Sequence, residues 1–225
     1  MLSSLQAELA AMRYPKEILL GSPNRIYCFA DTVERCRGLL NAGGRVIQLR
    51  HKTAGDAAFR ELAAGMLACV RSFRDAVLIV NDRVEIALQV EADGIHVGQE
   101  DSDVREVIRR APAEMIVGVS ARTPAQAQAA AAAGATYVGV GAVFATATKP
   151  EADVIGLRGL SEVVASVNIP VVAIGGITLE AVRPVLAAGA RYCAVISGIN
   201  DVPDPAAALR RFLFESASFP TDQGR

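Results

Sequence analysis

Residues 171–198 read VVAIGGITLEAVRPVLAAGARYCAVISG. The stretch contains an apolar run over 171–174, a Gly175-Gly176 pair, a helical pattern over 179–187, a glycine at 189 and a second apolar run over 193–197. A strand made only of apolar residues needs both faces covered. That is the signature of a parallel sheet whose crossover helices lie on its faces. Gly189, flanked by Ala188 and Ala190, offers the left-handed residue that commonly ends a helix before the next strand.

Outward from this unit the same alternation recurs along the chain. The spacing predicts strands over 26–30, 46–50, 77–80, 94–97, 116–120 and 137–141 in addition to the two above. Helical patterns occupy 32–41, 57–73, 84–90, 104–111, 124–133, 157–166, 179–187 and 205–214. Ala42-Gly43-Gly44 and Ala133-Gly134-Ala135 repeat the terminating glycine. Eight βα units in so short a chain predict an α/β protein built as a single (βα)8 TIM barrel over 25–215. A doubly wound sheet is the alternative, but Asp31 follows the first strand where that fold usually carries GxGxxG. Residues 1–24 read as an N-terminal helical extension, with Leu5, Leu9 and Met12 at helical spacing, and 216–225 as a polar tail expected to fray.

Composition sets outer limits. With 225 residues a single domain suffices, and 52% hydrophobic residues supply a sizeable core. A formal net charge of -1, 5% aromatic residues and no Trp argue against binding nucleic acid or a membrane surface. Cys28, Cys36, Cys69 and Cys193 form no CxxC pair and are expected to be buried free thiols in a cytoplasmic protein. The N-terminus lacks the pattern of a signal peptide, and no apolar run is long enough to span a membrane. Only three lysines, Lys16, Lys52 and Lys149, stand among 20 arginines, and two of them fall in the motifs below.

In a (βα)8 barrel chemistry gathers at the C-terminal ends of the strands. After Val46-Ile47, the residues Gln48, Arg50 and Lys52 follow at intervals of two, which strand alternation places on one face. Two cations in a lumen would require anionic company, which predicts a diphosphate or carboxylate pocket. An edge of solvated charges is the bland alternative. Asn81-Asp82 and Asp101 stand after the third and fourth strands. Paired carboxylates beside a diphosphate suit Mg²⁺, while each alone also suits a helix cap. Ser120 ends the fifth strand, and the long connection 142–156 carries Thr146, Thr148 and Lys149, either as a lid over a phosphate ester or as a solvated loop. Gly175-Gly176 and Ser197-Gly198 follow strands seven and eight, where this fold binds phosphate through backbone N–H groups. His96 reads as a hydrogen-bonded core residue, and His51 as outward-facing. Two histidines and no GxSxG argue against a Ser-His-Asp hydrolase.

Taken in order, these motifs resemble those of the thiamine phosphate synthase family. The resemblance covers residues 25–208 and rests on Gln48-Leu49-Arg50-His51-Lys52, Val80-Asn81-Asp82-Arg83, Ala92 through Asp101, Gly118-Val119-Ser120, Thr146-Ala147-Thr148-Lys149, Ala173-Ile174-Gly175-Gly176-Ile177 and Val195-Ile196-Ser197. It implies an enzyme that joins hydroxymethylpyrimidine diphosphate to a thiazole phosphate and releases pyrophosphate, with loss of CO₂ where the thiazole is carboxylated. By the same resemblance Gln48, Arg50, Lys52 and Asn81 would bind the pyrimidine diphosphate, and Asp82 and Asp101 would hold Mg²⁺ on it. Ser120 and Lys149 would contact the diphosphate, making Lys149, Arg50, Lys52 and Ser120 the catalytic set. Thr146 and Thr148 would line the thiazole side, and Gly176, Ile196 and Ser197 would take the thiazole phosphate. The implied partners are small-molecule substrates, with pairing into a homodimer a further expectation. His51, Arg122 and Ala181 depart from residues frequent in the family, and Arg122 removes the histidine base of a related thiazole tautomerase. That tautomerase and a non-catalytic metabolite-binding barrel are the competing readings.

Overall fold

In the computed structural model, which describes residues 14–99, 103–148, 151 and 153–219, eight parallel strands close into a barrel in the order β1 to β8. The strands are β1 (Ile26–Ala30), β2 (Val46–Leu49), β3 (Val77–Asn81), β4 (Gly94–Val97), β5 (Ile116–Ala121), β6 (Tyr137–Val140), β7 (Val171–Ile174) and β8 (Tyr192–Val195). Around them lie α2 (Val33–Asn41), α3 (Asp56–Val70), α4 (Val84–Gln89), α5 (Val104–Arg110), α6 (Pro124–Ala133), α7 (Gly156–Ser166), α8 (Val182–Ala187) and α10 (Pro205–Ala217). A preceding α1 (Pro15–Gly21) and a single turn α9 (Ser197–Asn200) complete the order. The predicted alternation is therefore the observed one. The expected terminators Gly43, Gly134 and Gly189 all sit at φ near +100°, the conformation that glycine adopts without a Cβ clash.

Two apolar layers follow from strand alternation. Outward-facing residues such as Ile47, Leu49, Leu78, Val80 and Val119 pack under the helices. Inward-facing Tyr27, Val46, Val77, Ile79, Ile116, Tyr137, Val172 and Tyr192 fill the lumen. The N-terminal extension is not a mere appendage. Leu19 of α1 is fully buried among the lumen residues and plugs the barrel floor. Tyr192 donates its hydroxyl to the Leu19 carbonyl, and Arg191 donates to the Leu20 and Ser22 carbonyls. Leu5, Leu9 and Met12 lie outside the described residues. At the other end α10 continues through Ala217, with Ser216 only 3% exposed, so the expected tail boundary at 216 falls inside a packed helix. The amphipathic face of that helix, with Leu209 and Phe212 turned to the core, carries it past the point where the sequence becomes polar.

Candidate active site

A cavity of about 520 Å³ opens at the C-terminal mouth of the barrel. Of the residues expected there, Gln48, Arg50, Asn81, Asp82, Ser120, Thr146, Thr148, Gly176, Ile196 and Ser197 all line it. Asp101 and Lys149 lie outside the described residues. Lys52 does not line the cavity. Strand β2 ends at Leu49, and although the Arg50 N–H still donates to the Ala30 carbonyl at 3.0 Å, the alternation lapses beyond it and Lys52 stands exposed in a bend. Gln48, inside the strand, is 4% exposed, and Arg50 is half-buried at the rim.

Asp82 sits at φ +63°, a left-handed conformation that costs a non-glycine residue of order 1–3 kcal/mol, least for Asp and Asn. Its N–H donates to the His96 carbonyl at 2.9 Å, and its carboxylate accepts from Asn81 Nδ2 at 2.5 Å. The N-cap positions of the two helices that follow fall on other residues. The N-cap of α4 is Arg83, with no side-chain cap, and that of α5 is Asp103, whose carboxylate accepts from the Arg105 N–H at 3.0 Å. Asp82 itself lines the cavity.

Across β3 to β6 one register row reads Asn81, His96, Gly118, Tyr137. Gly118 has no side chain because the Tyr137 ring fills that space: a Cβ there would lie 2.1 Å from the ring. The ring thereby reaches His96 and stacks on it, with centroids 5.5 Å apart. In the next row Gly139 leaves room for the His96 imidazole, which a Cβ would meet at 2.9 Å. His96 is hydrogen-bonded as expected, through Nδ1 to Tyr137 Oη at 2.9 Å and through Nε2 to Ser120 Oγ at 3.0 Å, but it also lines the cavity. His51 makes only a local turn contact, accepting from the Ala54 N–H.

The connection 141–155 is stitched to the end of β7. Val143 N–H donates to the Ile174 carbonyl and Phe144 N–H to the Gly175 carbonyl, which holds Thr146 and Thr148 over the mouth. Gly176, at φ +64°, leaves space for the Ala145 carbonyl, which a Cβ would meet at 2.3 Å. The glycine pair thus has a packing duty as well as the expected openness. Cavity residues absent from the expectations are Tyr27, Gln99, Tyr137 and Gln126. The inward phase of β1 and β6 was available as a signal for the tyrosines, but their contacts join residues 110 apart in sequence. Three of the cysteines are buried, as expected. Cys69 is half-buried, and burial pushes the Cys28, Cys36 and Cys193 thiols up to about 12. Among the described residues no helix is long and apolar enough to cross a membrane.

Fold and cavity together define a (βα)8-barrel enzyme whose polar groups converge at the C-terminal mouth. Residues 22–199 match the family model described as thiamine monophosphate synthase. The chain is 42% identical over 202 residues to the thiamine-phosphate synthase of Caldivirga maquilingensis, spanning 90% of this chain and 97% of that one. It is 49% identical over 174 residues to the namesake of a Roseiflexus species, spanning 76% and 72%. The solved thiamine phosphate pyrophosphorylase of Pyrococcus furiosus superposes with a TM-score of 0.81 at 37% identity, covering 88% of this chain and 97% of that one. A 3-hexulose-6-phosphate synthase at 19% identity and TM-score 0.66 shares the fold. The chain belongs to the thiamine monophosphate synthase family, and is a transferase of thiamine biosynthesis.

Proposed function

We propose that the cavity brings an aminopyrimidine diphosphate and a thiazole phosphate together in the cytoplasm, the thiazole nitrogen taking the place of the diphosphate on the pyrimidine methylene carbon. The single observation that carries this reading is the convergence of Gln48, Arg50, Asn81, Asp82 and Ser120 on one side of a cavity whose other side presents Gly176, Ile196 and Ser197. One side has the charge and donors for a diphosphate, and the other has backbone suited to a monophosphate.

The chain needs little acid–base chemistry for such a reaction. In the resembled family the C–O bond breaks early and leaves a cation that the pyrimidine ring stabilises. The protein's task is then to draw off negative charge and hold two substrates in line. Arg50 at the rim and Lys149 of the connection after β6 would meet the departing diphosphate, and Ser120 would donate to it. Gln48 and Asn81 would hold the pyrimidine side, and Thr146 and Thr148 the thiazole. Arg122 lines the mouth where a tautomerase would need a histidine, which disfavours that reading.

A Mg²⁺ ion fits the donor set. Asp82 offers a hard carboxylate oxygen at the cavity, on a backbone held in a left-handed conformation, and Mg²⁺ commonly takes one or two carboxylates with phosphate oxygens and waters. Asp82 and Asp101 would hold it, and when bound it would neutralise charge on the diphosphate.

The test is pyrophosphate release from the purified protein. Release is expected only when both substrates and Mg²⁺ are supplied, and comparison of plain and carboxylated thiazole phosphates identifies the preferred acceptor. Conversion of the thiazole without pyrophosphate release would favour the tautomerase, and tight binding without turnover the non-catalytic barrel.

A further inference from the structure

Beneath the cavity a continuous chain of hydrogen bonds crosses the lumen. Gln48 Nε2 donates to Tyr27 Oη at 2.9 Å, and Tyr27 Oη lies 2.8 Å from Tyr137 Oη. Tyr137 Oη lies 2.9 Å from His96 Nδ1, and His96 Nε2 lies 3.0 Å from Ser120 Oγ. Five side chains from five strands are linked, with both tyrosines about 1% exposed.

The chemistry of the first member sets the direction of the rest. An amide nitrogen only donates, so Tyr27 Oη accepts from Gln48 and has its own hydrogen to give. Within the chain that hydrogen goes to Tyr137 Oη, whose hydrogen in turn goes to His96 Nδ1. A neutral imidazole accepts at one nitrogen and donates at the other, so Nε2 carries the proton and donates to Ser120 Oγ. The Ser120 hydrogen then points away from the chain, toward the cavity. Reversal would leave the Tyr27 hydrogen without an acceptor in the chain, in a site where an unsatisfied polar group is expensive. Burial raises the pKa of both phenols, so their hydrogens stay in place across the working pH range.

We propose that Tyr27, Tyr137 and His96 are positioning residues, a polarised chain anchored on the Gln48 amide that makes Ser120 a hydrogen-bond donor to the oxygen of the departing diphosphate. The role of Ser120 on substrate rests on the function proposed above, whereas the direction of the chain does not.

The direction is measured on the substrate-free protein by ¹⁵N NMR with labelled histidine at mildly alkaline pH, where imidazole is neutral. The chain has two histidines, and the signals of His51 are removed by His51→Gln. For His96 the expected result is a single tautomer with the proton on Nε2. Tyr137→Phe removes one oxygen without changing shape and is expected to give a mixture of tautomers. Gln48→Glu replaces the obligatory donor with an acceptor and is expected to move the proton to Nδ1. In turnover, Tyr137→Phe is expected to lower kcat about tenfold with both KM values held within about twofold, since the lost oxygen bears on the reaction through His96 and Ser120. A proton on Nδ1 or on both nitrogens in the parent protein overturns the proposal. So does a tautomer that Tyr137→Phe and Gln48→Glu leave unchanged in folded protein. Because the NMR needs no substrate, a failed pyrophosphate assay beside the expected tautomer would discard the function and keep the chain, and the reverse would discard the chain alone.

Discussion

The two walls of the mouth differ in kind. From β2 to β5 the inward positions carry Gln48, Asn81, His96 and Ser120, with Asp82 just beyond, and each of these presents a polar side chain to the cavity. On β7 and β8 the corresponding positions carry Val172, Ile174, Ala194 and Ile196, all apolar, followed by Gly175-Gly176 and the turn opened by Ser197. Polar contact on that side has to come from backbone. The first wall is therefore damaged by removing atoms and the second by adding them. The polar wall satisfies itself by hydrogen bonds across the row of β3 to β6, while the apolar wall needs no partners.

The largest effects should come from removing the charged groups proposed to act on the diphosphate. Asp82→Asn keeps a residue tolerant of the left-handed backbone but halves the carboxylate's capacity for Mg²⁺. Pyrophosphate release is expected to fall by about 10²–10³ at saturating substrate, with the thermal midpoint little changed. Lys149→Ala is expected to lose a similar factor with the fold intact. Near-normal turnover in the folded Asp82 variant would break the claim that the first wall works through its side chains, and in the folded Lys149 variant it would remove the role proposed for that ammonium.

An addition to the second wall comes next. Gly176→Ala places a Cβ 2.3 Å from the Ala145 carbonyl at a backbone angle that L-residues avoid, a strain of order 1–3 kcal/mol. The loop carrying Thr146 and Thr148 must shift. The KM for the thiazole phosphate is expected to rise about tenfold while that for the pyrimidine diphosphate holds, a split that steady-state kinetics with each substrate varied in turn reads directly. Equal rises in both would mean that the walls do not divide the substrates.

The strands and their order were legible because each is a short apolar run closed by turn chemistry, and period-two alternation then fixed which residues face inward. Gln48, Asn81 and Ser120 line the cavity for that reason. Lys52 does not, because alternation does not carry beyond Leu49, where the ladder ends. The aqueous rim imposes no phase on a bend, so spacing there says nothing about direction. Tyr27 and Tyr137 were hidden differently. Each fits a strand core on its own, and only closure of the barrel brings β1 and β6 across the lumen within hydrogen-bond reach. Leu19 was assigned to an appended segment because nothing local says that a barrel floor needs a plug.

The finest test applies one chemical change to both walls. Ser120→Ala and Ser197→Ala each remove a single hydroxyl. Ser120 is half-buried, and its oxygen is held by His96 at 3.0 Å. Its loss takes a preorganised donor from the diphosphate side and is expected to cost about 10²-fold in turnover. Ser197 is exposed at the first position of α9, and in the reading proposed above its backbone N–H, not its hydroxyl, serves the phosphate. Alanine keeps that N–H, and both kcat and the thiazole phosphate KM are expected to stay within about threefold of the parent. If Ser197→Ala instead costs as much as Ser120→Ala, the second wall also recognises through side chains. The asymmetry of the mouth would then be one of hydrophobicity alone and not of how each wall holds its substrate.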